Sequence, residues 1–408
     1  MLFHNAFGFI NSISCYFAPV KKFLAVGAVL LAIVAAVWFI RHDSFTEPHP
    51  VKYTPPVFTD TIAKDVNKFY DQFDAFFTDR NLHGGFNGSV LIAKNGKCVF
   101  EKCYGYCDYR SKDLISDTNS FQLASVSKTF TATAVLWCVE HHLLSLDDSL
   151  QKFYPMLPYK GVRIKDMLSH RSGLPNYLYF CNNKCNRGEY LNNEQVIAIM
   201  AHDKPAAYAR VNKKFAYCNT NYMLLASIVE KVVSKKFNAF MSETFFKPLD
   251  MTHTFIYDHS NALERKIAVS YNSRWQMQND DCFDGVVGDK GVYSTVSDMF
   301  KWDKAFYDGK LLSQEMMKEA YAPKSFEHPG KRNYGYGWRL LQQPDGNYLV
   351  YHNGWWHGNN TVFYRYIQDT TAIIILSNRY NKSVYHVQPL FDILYRNKNR
   401  NGDFEEEQ

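Results

Sequence analysis

The chain has 408 residues, 46% of them apolar, and a formal charge of +6. That is enough apolar material to bury a large core in one or two domains, which excludes disorder as the main state. Of the 46 basic residues only Lys21 and Lys22 precede residue 40. Beyond it 44 basic side chains face 40 acidic ones, and no dense basic stripe marks a nucleic-acid partner.

Phe23 to Ile40 is an uncharged, apolar stretch of 18 residues, long enough to cross a hydrocarbon core as a slightly stretched helix. It predicts a single-pass membrane anchor at 23–40. A cleaved signal peptide is the competing reading, but Arg41, His42 and Asp43 follow directly, where a small-residue cleavage site would be expected. A buried soluble helix would show a polar face, and none exists here. Lys21 and Lys22 against Arg41 alone favour a cytoplasmic N terminus, with the body outside the cytoplasm, in a periplasm or at a cell surface. For the aromatic stretch within 1–22 there is no physical account. Residues 41–57, with Pro48, Pro50, Pro55 and Pro56, have the composition of a semi-rigid linker. The folded body is expected over 58–397, followed by a polar tail at 398–408 that ends in three glutamates before Gln408.

Within the body, Phe58, Ile62, Val66, Phe69, Phe73, Phe76 and Phe77 recur mostly at spacings of three and four. They predict an amphipathic helix that Gly84 and Gly85 can terminate. The period then falls to two: Ser89 to Ala93 and Lys97 to Tyr104 flank Asn95-Gly96, the pair that best adopts the positive dihedrals of a tight hairpin. A long section of helical patterns and loops follows. Strand patterns return at Tyr336 to Gln342, Tyr348 to His352, Thr361 to Ile367 and Thr371 to Leu376, with Asp345 and Gly346 in the first turn. Together these predict an α+β fold. Its antiparallel five-stranded sheet takes two strands from the start of the body and three from among the four patterns near the end, flanked by helices, with an all-helical lobe inserted.

Ala124-Ser125-Val126-Ser127-Lys128 opens an apolar run through Val139, so Ser125 falls at the opening turn of a buried helix. Residues three apart share a helix face, which brings the Lys128 amine to the Ser125 hydroxyl, and the helix N terminus favours an alkoxide there. Burial penalises a charged amine, and a neutral amine can serve as general base. The spacing alone is weak, since about one chance match is expected in a chain of this length. Ser149 to Lys152 is such a match, set in an acidic loop after Asp147 and Asp148.

Tyr217-Cys218-Asn219 stands directly before a helical pattern from Tyr222 to Val229, on a helix-entry loop. A phenol near cations can pass a proton to a leaving group, and the Asn219 amide can donate to a substrate. Taken alone, these residues equally fit a core tyrosine and an Asn helix cap. Tyr190-Leu191-Asn192 repeats the spacing. His352-Asn353-Gly354 ends a strand just before Trp355. A glycine there admits a substrate backbone, and the strand edge beyond it offers an amide to an oxyanion. The other two His-x-Gly matches, at His83 and His328, do not lie on strands.

The order and setting of these motifs resemble the serine β-lactamase-like superfamily, closest to class C β-lactamases, DD-carboxypeptidases and their esterase relatives. The related set of motifs there is SxxK, SDN and KTG, and here the second and third take the forms YxN and HxG. The resemblance includes Phe121 to Phe130, Leu144 to Asp148, Leu168 to Pro175, Pro248 to Met251 and Tyr334 to Trp338. It implies a β-lactamase/transpeptidase-like fold and a double displacement, with Ser125 as nucleophile, Lys128 and Tyr217 as the proton-transfer pair, and water releasing the acyl group. It further implies that Asn219, His352 and Gly354 contact substrate, and that the backbone amides of Ser125 and Trp355 form the oxyanion hole. No metal or other cofactor is implied, and His141 with His142, or His352 with His357, lack further ligands.

His352 stands where many relatives place a lysine that binds a substrate carboxylate. This leaves the substrate open among small peptides, lactams and esters, from β-lactam or D-alanyl-D-alanine cleavage to an esterase, D-amino-acid peptidase or cell-wall amidase activity. Cys218 and Asn353 also replace common hydroxyl residues. Two other readings remain beside an active hydrolase: a penicillin-binding sensor that acylates without turnover, and a catalytically silent binding protein. No obligate protein partner is evident. Of nine cysteines, eight lie beyond the predicted anchor. Cys181 with Cys185 in a polar loop is the expected disulfide, and Cys138 a buried thiol. Trp355 and Trp356 are candidates to line a cleft.

Overall fold

The structure is a computed structural model that describes residues 66–185, 188–258, 265–327 and 330–395. The anchor expected at 23–40, the linker at 41–57 and the tail at 398–408 lie outside these residues. Among the described residues no helix is long and apolar enough to cross a membrane.

Helix α1 (Val66–Leu82) carries Phe73 and Phe77 four residues apart, both buried on one face. Strands β1 (Gly88–Lys94) and β2 (Lys97–Tyr104) form the expected hairpin, with Asn95 (φ 50°) and Gly96 (φ 69°) both at positive dihedrals. The rest of this sheet comes from the C-terminal part: β3 (Arg332–Tyr334), β4 (Arg339–Gln342), β5 (Tyr348–Trp356), β6 (Asn359–Tyr366) and β7 (Thr371–Ser377). The order β2-β1-β7-β6-β5-β4-β3 is antiparallel, and Gly88 faces Ser377 across the join.

The sheet therefore has seven strands rather than the five expected. β3 holds three residues, too few for an alternation to register. Gly337, at φ 82°, turns the chain before β4, so the strand expected from Tyr336 begins at Arg339. β5 continues past His352 to Trp356, which makes all of the third motif strand backbone.

Four further helices matter for the site: α2 (Ser127–Glu140), α3 (Asn219–Val233), α4 (Val296–Tyr307) and α5 (Gln388–Tyr395). Both sheet faces are covered, which is why β7 reads Ala-Ile-Ile-Ile-Leu without a polar gap. Ile373 and Ile375 join the core with α1 and α5, while Ala372, Ile374 and Leu376 join the larger core around α2 and α3. β1 divides the same way, Val90 and Ile92 against Leu91 and Ala93. Each such buried Ile or Leu contributes about 1.5–3 kcal/mol. Under the second face, Arg365 of β6 is fully buried, donates from Nε to Asp303 Oδ1 of α4 at 2.5 Å, and donates again to the Tyr321 hydroxyl.

A second antiparallel sheet places Val292–Ser294 between Phe121–Gln122 and Phe255–Ile256. It ties the residues just before Ser125 to the segment that follows Gly291. The expected Cys181–Cys185 disulfide does not form. Cys185 bonds Cys282, 97 residues away, and Cys181 is a fully buried free thiol. Cys181 caps the short helix Tyr177–Phe180 and packs into the core, while Cys185 bonds the distant cysteine. Cys138 is a buried free thiol, as expected.

Candidate active site

Of the ten residues Phe121 to Phe130, Ser125 alone is not buried. Ala124 takes the left-handed region (φ 49°), a conformation that costs a non-glycine residue about 1–3 kcal/mol. It turns the chain from strand Phe121–Gln122 into a 3₁₀ turn, Ala124–Val126, that feeds α2. The turn is held from two sides: the Leu123 amide donates to Val292 O at 2.8 Å, and Thr361 Oγ1 of β6 donates to Leu123 O at 2.7 Å. Lys128, one turn on and fully buried, donates to Ser125 Oγ at 3.0 Å and to the main-chain oxygen of Asp289 at 2.8 Å. The second Ser-x-x-Lys match is different: Ser149 precedes a four-residue helix, and Lys152 pairs with Asp148 at 2.9 Å near the surface.

Tyr217 enters α3 from its N-terminal loop, and its ring centroid lies 5.0 Å from Lys128 Nζ. On its other sides it meets the rings of His170 (4.3 Å) and His352 (6.3 Å), with the Arg339 guanidinium 5.5 Å from its centroid. Asn219 is the first residue of α3, and its Oδ1 is buried without a partner, an acceptor open to an incoming donor. Cys218 between them is buried. Its thiol donates to Leu174 O at 3.4 Å and its amide donates to His170 Nδ1 at 3.1 Å, while burial pushes the thiol up to about 11. It anchors the loop and is no nucleophile.

His352 is fully buried, and both ring nitrogens are engaged. Nδ1 lies 2.8 Å from Asn353 O, which can only accept, so Nδ1 carries the proton and Nε2 accepts from Tyr334 Oη at 3.1 Å. Burial, reinforced by Arg339 and Lys128, lowers the imidazole well below the usual histidine range, so it is neutral. Gly354 is required by close approach: a Cβ there would lie 2.3 Å from Leu123 O and from Thr361 Oγ1. Trp355 is 59% exposed, and its indole donates to His357 O at 3.0 Å. The first and third motifs thus meet at the Leu123–Gly354 contact, and the second meets both through Tyr217. The Tyr190 to Asn192 repeat lines a separate cavity of about 430 Å³.

Three groups escaped the sequence reading. His170 lies beneath Tyr217 with a buried, unpartnered Nε2, and burial beside Lys128 lowers it well below the usual range. Asp289 and Lys290 are buried next to Lys128, with Tyr177 between them. The only sequence signal was a charged pair bracketed by Gly288 and Gly291, which reads as a loop. Asp284 accepts from Gln122, Trp356, the Asp281 amide and His357, the last at 2.8 Å. Asp280, Asp284 and His357 bring possible ligand atoms within 4.8 Å of one another, but with its acceptors taken Asp284 forms a closed ion pair rather than an open metal site.

The model of the beta-lactamase family matches residues 71–393. Penicillin-binding protein 4* of Bacillus subtilis (strain 168) is 29% identical over 314 residues, 74% of this chain and 70% of its own. Teichoic acid D-alanine hydrolase of Staphylococcus aureus is 26% identical over 412 residues, 92% of this chain and 96% of its own. Among solved structures, the D-amino acid amidase from Ochrobactrum anthropi SV3 superposes with a TM-score of 0.66 at 21% identity, over 81% of this chain and 98% of the amidase. At that identity the likeness concerns the fold.

Proposed function

The chain belongs to the beta-lactamase family, and from that premise we propose that it is a serine hydrolase of amide or ester bonds with Ser125 as its acylated nucleophile. One observation carries the assignment: a wholly buried segment exposes a single serine, and the buried Lys128 amine lies 3.0 Å from its hydroxyl.

Lys128 takes the Ser125 proton as Oγ attacks the acyl carbon, a role that requires the amine in its neutral form. The oxyanion is received by the main-chain amides of Ser125 and Trp355, and losing one such donor typically lowers turnover by about 10²–10³-fold. Tyr217, beside Lys128, passes the proton to the leaving group. The Asn219 amide holds the acyl portion. Gly354 lets the nucleophile turn and the substrate approach the β5 edge. His352 is neutral and doubly bonded, so its part is to hold that edge rather than to attract a carboxylate by charge. Water then enters against the same Lys128–Tyr217 pair and releases the acyl group. The names of two relatives, a teichoic acid D-alanine hydrolase and a D-amino acid amidase, support a D-aminoacyl ester or amide as donor. The segment at 23–40 would tether this body outside the cytoplasm, at a membrane surface, through the linker at 41–57.

A fluorophosphonate or a fluorescent penicillin should label the full chain, and Ser125→Ala should abolish labelling. Intact-mass analysis after incubation with D-amino-acid peptides, β-lactams and short-chain esters should show an adduct on Ser125. A chain inert across that panel, or label on another residue, would sink the assignment.

A further inference from the structure

We propose that Asp289 and Lys290 form a charge-balanced clamp that positions Lys128 as the proton acceptor of Ser125, an inference that rests on the roles given to those two residues above.

The segment Gly288 to Val292 runs along α2 and is bonded to it at three places. Thr131 Oγ1 donates to Gly288 O at 2.7 Å, Lys128 Nζ to Asp289 O at 2.8 Å, and the Val292 amide to Ser127 Oγ at 3.1 Å. Gly288 (φ 105°) lies so close to α3 that a Cβ would meet Tyr222 O at 2.4 Å, which fixes the strap from behind. The carbonyl that orients Lys128 therefore belongs to a residue whose side chain is itself held. Asp289 Oδ2 accepts from the Tyr177 hydroxyl at 2.9 Å and lies 3.6 Å from Lys290 Nζ, which donates to the same hydroxyl. Asp289 Oδ1 has no donor, and Lys290 is the nearest cation to this carboxylate, with Asp284 and Asp281 acting on the same ammonium more weakly. Lys290 Nζ also lies 4.7 Å from the Trp356 ring centroid, next to the third motif.

Buried charges act on a neighbouring amine with little solvent screening. The other groups around Lys128 are the neutral imidazoles of His170 and His352, the phenols of Tyr217 and Tyr222, and the Cys218 thiol. Arg339 stands beyond Tyr217. Asp289 and Lys290 cancel one another at the amine, so the strap can supply its carbonyl without adding a net charge. A purely mechanical strap would lower the rate when altered, whichever charge was removed. A charge-balanced one responds with opposite signs.

The test follows the rate of fluorophosphonate labelling of the full chain from about pH 5 to about pH 10. Ser125→Ala should stay unlabelled throughout, and labelling of that variant would overturn the reading of the site, and the clamp with it. With that control silent, Lys290→Gln leaves a lone carboxylate that favours the ammonium form of its neighbour. The acid limb of the rate should move up by roughly one pH unit. Asp289→Asn leaves a lone cation and should move the limb down by roughly as much. The double variant should return to within about 0.3 unit of the unaltered chain. If one single variant fails to fold, the step from the other single variant to the double one reverses that variant's shift and carries the same test. Limbs that do not move, or that move together, overturn the proposal.

Discussion

Two buried ion pairs set the terms of this molecule. Arg365 and Asp303 meet under the main sheet, ringed by Phe306, Tyr321 and Trp338, and Arg365 holds the Tyr321 hydroxyl as well. Lys290 and Asp289 are buried too, but the main chain of Asp289 is bonded to Lys128. The same physics has different consequences in the two places. The first pair ties β6 to α4 and concerns stability, whereas the second, whose backbone touches Lys128, concerns chemistry as well under the role proposed for that amine.

The sharpest test of that contrast begins at the amine itself. Lys128→Ala should lower the rate of Ser125 labelling by about 10²–10⁴-fold, the usual worth of general acid–base catalysis, measured by probe labelling against time. Asp303→Ala leaves Arg365 buried and unpaired and should cost about 3–5 kcal/mol of stability in urea unfolding. Where that variant is folded, the pH profile of labelling should be unchanged; a shifted acid limb would erase the distinction between the pairs.

Loss of the Cys185–Cys282 disulfide should cost about 2–4 kcal/mol, read as a lower unfolding midpoint for Cys185→Ser with Cys282→Ser. The bridge joins the loop after the Tyr177 helix to the loop before Asp284, so the labelling rate should fall with stability.

The smallest effect is expected at His357. Burial disfavours its charged form, but the hydrogen bond and charge of Asp284 prevail and raise it above 6.5. Burial likewise opposes the Asp284 charge, yet His357 and the Asp281 amide hold that carboxyl below 3.8. The histidine's contribution is complete below pH 6.5 and fades as pH rises through its raised folded value. The carboxylate's contribution is present above pH 3.8 and fades as pH falls through its lowered one. His357→Ala should therefore lose about 1 kcal/mol more at pH 5.5 than at pH 9, by urea unfolding at both. Equal losses would show that the pair is not charged.

Local patterns made much of this legible. Asn95-Gly96 specified its own hairpin, and the three-residue spacing of Ser125 and Lys128 needed only a helix to become a contact. The edge strand β3 was too short for periodicity to distinguish it from a loop. Cys181 was misassigned because proximity along the chain says nothing of which thiol a helix cap turns into the core. His170 and Asp289 were silent for the same reason, since their importance lies in what packs against them.

What the sequence by itself determined is the split sheet and the nearness of Ser125 to Lys128, because helix and strand periods act over a few residues, while the family followed from the order of the motifs. The tertiary structure alone decided that His352 is neutral, that Cys185 finds Cys282, and that Lys128 is oriented by the carbonyl of Asp289. Those depend on burial and on which distant groups share it, and burial is a property of the packed chain rather than of any stretch of it.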